Sequence, residues 1–269
     1  MFSCSNIKMT HHQASNMTLK KVWLTVFYLQ LIILTPAQAL TSPYKLSLAV
    51  DIPISTNSIA LLGTSFLIGK TWDIPPKQSL NFLNRDSVNK FDRSATRQNS
   101  KAASYLSDIT LYASVALPLF QLINKNSRKD FGKVAAISAE TFTINLAITE
   151  LFKETVRRKR PLLYNPDVTT DAKWKKDNFQ SFYSGHTSIV SAMSFSFAEM
   201  YADYNPRSKL KPMVWSMCAA FPLLTGVLRY KAGKHFWTDV ITGYVAGAVV
   251  GLATPYVHNA KLGYNKRAN

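Results

Sequence analysis

Apolar runs alternate with strongly charged loops along this chain. Beyond residue 40 the runs cover 52–69, 105–123, 134–152, 186–204, 213–228 and 240–257. Most approach the roughly 20 mostly apolar residues that a helical membrane span needs. Small residues recur inside them: Ala and Ser through 187–198, and Gly243, Gly247 and Gly251 at every fourth position. Such spacing lets helix backbones approach closely in lipid. The pattern predicts an all-α, membrane-embedded helical bundle of about five to six helices. The mean hydropathy of −0.04 keeps a water-soluble helical bundle open as the alternative.

Before the first run, Lys20-Lys21 precedes an apolar stretch over 22–34 that ends in Ala37-Gln38-Ala39. A basic flank, an apolar centre and a small-x-small end form the pattern of a secretory signal. Residues 1–39 are therefore expected to be a leader cleaved before Leu40, with a retained signal anchor as the alternative. The remaining divisions are 40–104 as an extracytoplasmic or interfacial N-terminal region, 105–257 as a helical core and 258–269 as a basic tail. Basic turns at 125–133 and 207–211, together with the tail, fall on one side if the five runs from 105 onward all cross. That side is cytoplasmic by the positive-inside rule. The run 52–69 would reverse this parity, so it is expected to be interfacial.

Charge changes the picture next. The chain of 269 residues carries 32 Lys and Arg against 15 Asp and Glu, a formal charge of +17. That surplus suits anionic partners, whether nucleic acid, acidic lipid or phosphate-bearing substrates. The only cysteines are Cys4 and Cys218, so no disulfide framework exists once the leader is gone.

Three stretches carry candidate chemistry. Lys153 and Arg160, with Pro161 behind them, stand two helical turns apart and are expected to clamp an oxyanion, the arginine through its planar fork. Ser184-Gly185-His186 opens an apolar segment, so its amides would form an anion site at a helix N-terminus. Arg229, His235 and Asp239 add a cation, an imidazole and a carboxylate at i, i+4 to that imidazole. A carboxylate bonded to one ring nitrogen frees the other to attack or to accept a proton. His11, His12 and His258 lie outside this body of the chain, which leaves His186 and His235 beside basic motifs and argues against a metal site.

In this order the stretches resemble the type-2 phosphatidic acid phosphatase superfamily, whose pattern is Lys-x6-Arg-Pro, Pro-Ser-Gly-His and Ser-Arg-x5-His-x3-Asp. Tyr183 stands where that pattern has proline, and Leu228 where it has serine. The resemblance implies a metal-independent phosphatase with no cofactor. In it His235 is the nucleophile, Asp239 orients it and His186 protonates the leaving group. Lys153, Arg160, Ser184, Gly185 and Arg229 hold the phosphoryl oxygens. The apolar runs point to a lipid phosphate substrate of the undecaprenyl pyrophosphate, phosphatidylglycerol phosphate or lipid A type. The expected place is a bacterial cytoplasmic (inner) membrane, with the site outside. A soluble periplasmic acid phosphatase is the alternative. Nothing points to vanadate over phosphate, which sets a haloperoxidase lower, and a non-enzymatic binder of anionic lipid or nucleic acid would need neither His235 nor Asp239.

Overall fold

A computed structural model describes residues 42–260. The leader, its expected cleavage point after Ala39, and 261–269 lie outside the described residues. Six long helices form an up-and-down bundle: α1 (Leu48–Lys70), α2 (Lys101–Ala116), α3 (Phe131–Val156), α4 (Gly185–Tyr204), α5 (Lys211–Lys231) and α6 (Trp237–Val257). Each of the five apolar runs beyond residue 104 becomes one of these helices. The run at 105–123 is completed by a 3-10 stretch, Leu117–Leu122, that continues α2.

The stretch 52–69, expected to be interfacial or partly inserted, takes a form that would also allow a crossing. It lies within one continuous helix of 23 residues, long enough to cross a membrane at about 1.5 Å per residue. Leu48–Lys70, Phe131–Tyr164, Lys211–Lys231 and Trp237–Val257 all have the length and apolar composition of membrane spans. Residues 42–47 also lie at the end of the bundle opposite the one the parity argument gave them. Tyr44 donates from its hydroxyl to Asp203 at 2.7 Å and bridges to Asn259, so residues 42–47 sit with the ends of α4 and α6. At the other end of α1, the Trp72 indole donates to Glu154 near the end of α3, at 2.9 Å.

The packing is inside-out relative to a water-soluble bundle. On α1 the buried side chains are Asp51, Ser58 and Ser65, while Leu48, Ile52, Ile59, Phe66 and Leu67 are exposed. On α2 the buried set is Ala103, Ser107, Thr110 and Ser114, and Tyr105, Leu106, Ile109 and Tyr112 face outward. Small and hydroxyl-bearing faces meet helices, and large apolar faces meet what surrounds the bundle. Lipid rewards that arrangement, whereas water would penalise the contiguous apolar surface.

The Ser-rich α4 lies at the centre, buried on nearly every side. Its closest partner is α6, through the glycine row. A Cβ at Gly247 would stand 2.1 Å from the Ser188 carbonyl, and one at Gly251 2.4 Å from that of Ala192. At Gly243 the Ser184 carbonyl would be 2.6 Å away. Backbone therefore rests on backbone along about two turns, where even a methyl group has no room. Gly247→Ala should cost at least about 1–3 kcal/mol from overpacking, read as a lower melting temperature in detergent. Gly63→Ala, whose Cβ meets nothing within 4 Å, should leave that temperature unchanged or slightly raised. Equal effects at the two positions would disprove this account of the interface.

Candidate active site

The three motifs converge at one end of the bundle, where α3 and α5 end and α4 and α6 begin. α3 stops at Val156 because Arg157 takes the left-handed conformation, φ 51°, and its amide closes on the Lys153 carbonyl at 3.2 Å. Arg160 therefore does not share a helix face with Lys153, as the spacing predicted. It stands in the loop beyond, where Pro161 sets an extended backbone. The Arg160 amide donates to the Asn178 carbonyl at 2.9 Å, which turns its side chain into the bundle, only 3% exposed.

Gly185, the first residue of α4, keeps the lysine of the first motif close. A Cβ there would meet the Lys153 Nζ at 3.2 Å. Lys153 also donates to Glu150 at 2.7 Å. Ser184 is fully buried and pairs its hydroxyl with that of Thr187 at 2.9 Å, while its amide donates to the Asp239 carbonyl at 3.1 Å. Ser184 thus locks the start of α4 to the start of α6. Tyr183 fills the proline position as a packed aromatic, its ring 5.5 Å from that of Phe152.

His235 lies in the short turn between α5 and α6 and is 1% exposed. The carboxylate expected on its ring is one residue removed. His235 Nδ1 stands 3.8 Å from Asp239 Oδ2, but 2.8 Å from the Ser181 carbonyl, to which it donates. Asp239 Oδ2 instead accepts from the Ser181 hydroxyl at 2.6 Å and from the Phe236 amide at 2.9 Å. Asp239 therefore holds the Ser181 segment, and Ser181 holds the imidazole. The tautomer that follows carries its proton on Nδ1 and a lone pair on Nε2. Burial, with Arg229 and Arg160 close by, keeps this imidazole well below the ordinary histidine range and so neutral.

Nε2 faces Arg229, whose Nη2 is 3.5 Å away. Arg229 and Arg160 are both buried, and the Nε of each has no hydrogen-bond partner among the described residues. Unpaired buried donors are costly, and these belong to two guanidiniums beside a free lone pair. An anion placed there would satisfy both.

Several site residues lay beyond the reach of motif reading. Asp108 on α2 bonds the His186 Nε2 at 2.8 Å and stands 3.9 Å from Arg229. Asp177 accepts from Arg160 at 2.6 Å. Desolvation opposes its charge, but Arg160, Lys153, Lys234 and Arg229 hold the carboxyl down to about 2. Its side chain is 61% exposed, so solvent screens part of that pull. Asp92, from the connector before α2, accepts from the Thr238 amide at 3.1 Å and from Arg158 at 2.8 Å. Desolvation opposes its charge too, yet the Thr238, Asn89 and Arg158 bonds hold its carboxyl below the usual range. Arg158 completes the support by donating to Asp239. Asp92 and Asp108 are single acids in polar or apolar stretches, with no local signal to mark them.

Lys234, beside His235 in the same turn, is the last of these. Burial pushes its ammonium down to about 8, with Arg160 and Arg229 adding to the effect against the pull of Asp177. The lysine is charged below that value and loses its charge above it. Affinity for inorganic phosphate should therefore fall as pH rises through about 8, and Lys234→Met should flatten that limb while weakening binding at lower pH. Phosphate binding followed calorimetrically across pH checks this, and an unchanged limb in the variant would count against Lys234.

Comparison with known proteins adds a family to this geometry. Residues 134–262 match the family model described as PAP2 superfamily. Phospholipid phosphatase 2 of Rattus norvegicus is 28% identical over 159 residues, 48% of this chain and 56% of that protein. Its Homo sapiens counterpart is 29% identical over 160 residues, 48% of this chain and 54% of that protein. Phospholipid phosphatase 1 of Rattus norvegicus is 34% identical over 76 residues, 27% of each. The chain thus spans about half the length of the first two relatives. Among solved structures, a transmembrane PAP2 type phosphatidylglycerolphosphate phosphatase from Bacillus subtilis aligns over 93% of this chain and 96% of that one. The TM-score of that alignment is 0.43 and the identity 18%.

Proposed function

We propose that the chain, whose residues 134–262 match the PAP2 superfamily model, is a membrane phosphatase that removes phosphate from lipid monoesters or pyrophosphates through a phosphohistidine. The observation that carries this reading is the neutral Nε2 of His235 facing the Arg229 guanidinium at 3.5 Å, with unpaired donors on Arg229 and Arg160 beside it. A nucleophile needs its lone pair free, and a phosphoryl group needs its oxygens neutralised.

In the proposed reaction the His235 Nε2 attacks phosphorus while Arg160, Arg229, Lys153 and Lys234 hold the phosphoryl oxygens. The bond to the leaving oxygen breaks, and His186 passes that oxygen a proton. His186, then neutral, accepts a proton from water as the water attacks phosphorus. The P–N bond breaks, and phosphate and free His235 return. The His186 ring bonds Asp108 at 2.8 Å, and an arriving phosphate dianion would place a second negative group beside it. Asp108 thereby ties protonation of the acid to arrival of the substrate.

A lipid substrate is supported by the apolar outer faces of the helices and by the phospholipid phosphatase names of the relatives. Undecaprenyl pyrophosphate, phosphatidylglycerol phosphate and lipid A phosphates all share the required headgroup. We place the site on the extracytoplasmic face, since the basic turns at 125–133 and 207–211 lie at the other end. With α1 crossing, residues 42–47 then lie on the cytoplasmic side. A cleaved export signal or a membrane-crossing anchor would instead deliver residue 40 outside. N-terminal sequencing that found Leu40 first would overturn this orientation.

The roles of the two histidines separate by leaving group. His235→Ala should abolish turnover of every substrate. His186→Ala should lose far more activity on a lipid monophosphate than on a nitrophenyl ester, whose leaving group departs without a proton. Asp108→Asn should follow the same substrate pattern in milder form, each tenfold being about 1.4 kcal/mol of barrier. Phosphate release from a panel of lipid phosphates and a nitrophenyl ester measures this. Full activity in the His235 variant, or phosphate trapped on His186, would refute the assignment. Release of the chain from membranes by alkaline carbonate would favour the soluble acid phosphatase instead.

A further inference from the structure

At the end of the bundle opposite the candidate active site, three side chains that the proposed reaction does not use meet in the interior. Asp51 comes from α1, Glu140 from α3 and His258 from the turn that closes α6, and they are 7%, 6% and 2% exposed. His258, the first residue of the expected basic tail, is buried where α6 closes. One ligand atom from each residue lies within 4.8 Å of the other two.

His258 sets the geometry. Its Nδ1 donates to the Thr254 carbonyl at 2.8 Å, which fixes the ring and turns Nε2 toward the two carboxylates. A backbone carbonyl on the far nitrogen is the support that metal-ligating histidines have in nearly every site. Nε2 faces Asp51 Oδ1 at 2.9 Å and Glu140 Oε2 at 3.1 Å. The Glu140 contact is an ion-pair one, and among the described residues its buried Oε2 meets no geometric hydrogen-bond partner. Ligands each about 2.0–2.2 Å from one zinc ion stand about 3 Å or a little more from each other, which is close to this spacing.

Charge points the same way. Two carboxylates and a neutral imidazole leave the pocket at −2, and a proton on His258 leaves it at −1. Among the described residues His258 is the only basic side chain paired with these carboxylates. Burying an uncompensated charge is costly, and a divalent ion brings the pocket to neutrality.

We propose that Asp51, Glu140 and His258 bind a divalent transition-metal ion, zinc foremost, that staples α1 and the end of α6 to α3. One imidazole and two carboxylates are donors that zinc accepts and that a thiolate-seeking ion does not. The ion is structural and sits apart from the phosphate chemistry. Asp51 and the chain around it precede the family-matched residues 134–262, so the ion would fasten a segment that the family domain does not itself include.

The test uses the full chain, untagged and purified in detergent. Elemental analysis should find about one zinc per chain, since binding to a preformed site persists through purification. Stripping with a chelator should lower the melting temperature by several degrees, and Zn²⁺ should restore it, while Mg²⁺ should not. Glu140→Gln and His258→Gln should lose both the zinc and the Zn²⁺-dependent rise, and His235→Ala should keep both. If a variant fails to fold, the strip-and-restore experiment on the native chain still decides. A metal-free chain indifferent to chelator and Zn²⁺, or zinc retained by His258→Gln, would overturn the proposal in favour of a protonated ion pair.

Discussion

The structure depends first on how closely α6 lies against α4. Three glycines on α6 place its backbone where side chains would collide with the carbonyls of Ser184, Ser188 and Ala192. In lipid there is little hydrophobic drive between helices, so association rests on dispersion and on polar contacts that need such proximity. The same contact also aligns the two helix starts. The Ser184 amide reaches the Asp239 carbonyl only because the glycine row brings the helices together. From that junction follow the position of Gly185 beside Lys153 and of His235 beside Ser181. The chemistry at the end of the bundle therefore inherits its precision from packing several turns away.

A second constraint is electrostatic. Arg160, Arg229, Lys153 and Lys234 crowd one end of a bundle whose interior offers few counter-charges. Repulsion among them is contained by Asp177 on Arg160 and by Asp108 near Arg229. Both acids are partly solvated, with side chains 61% and 45% exposed, so neither is held as tightly as the fully buried Asp239. The acids thus lower the cost of assembling the cations without cancelling their attraction for an anion. Asp239 and Asp92 belong to a separate network around Arg158, which supports backbone and Ser181 and leaves the cation cluster free.

Sequence reading found the parts whose meaning is local. The apolar runs became helices because helix length and composition are carried by neighbouring residues, and the bundle brings the three motifs to one end. What it missed involves distant partners or subtle backbone turns. Asp108 meets a histidine 78 positions away, and Asp92 a threonine 146 positions away. Ser181 stands between His235 and Asp239, although i, i+4 spacing alone suggested a direct bond. Arg157 ends α3 early in a conformation that non-glycine residues seldom take. The run at 52–69 read as interfacial or partly inserted because its serines and asparagine lower its hydropathy. Ser58 and Ser65 are buried within the bundle, where a polar residue in a membrane helix belongs.

Two histidines at opposite ends of the bundle show how one local device yields opposite chemistry. His235 and His258 each donate Nδ1 to a backbone carbonyl at 2.8 Å, of Ser181 and of Thr254 respectively. In both, that bond fixes the ring and makes Nε2 the atom that acts. The difference lies in what Nε2 faces. Around His235 the neighbours are guanidiniums, which disfavour a proton and attract an anion, as the proposed phosphate chemistry requires. Around His258 they are carboxylates, which attract a cation to the same kind of lone pair. The backbone sets the orientation of each ring, and the sign of the surrounding charge selects its partner.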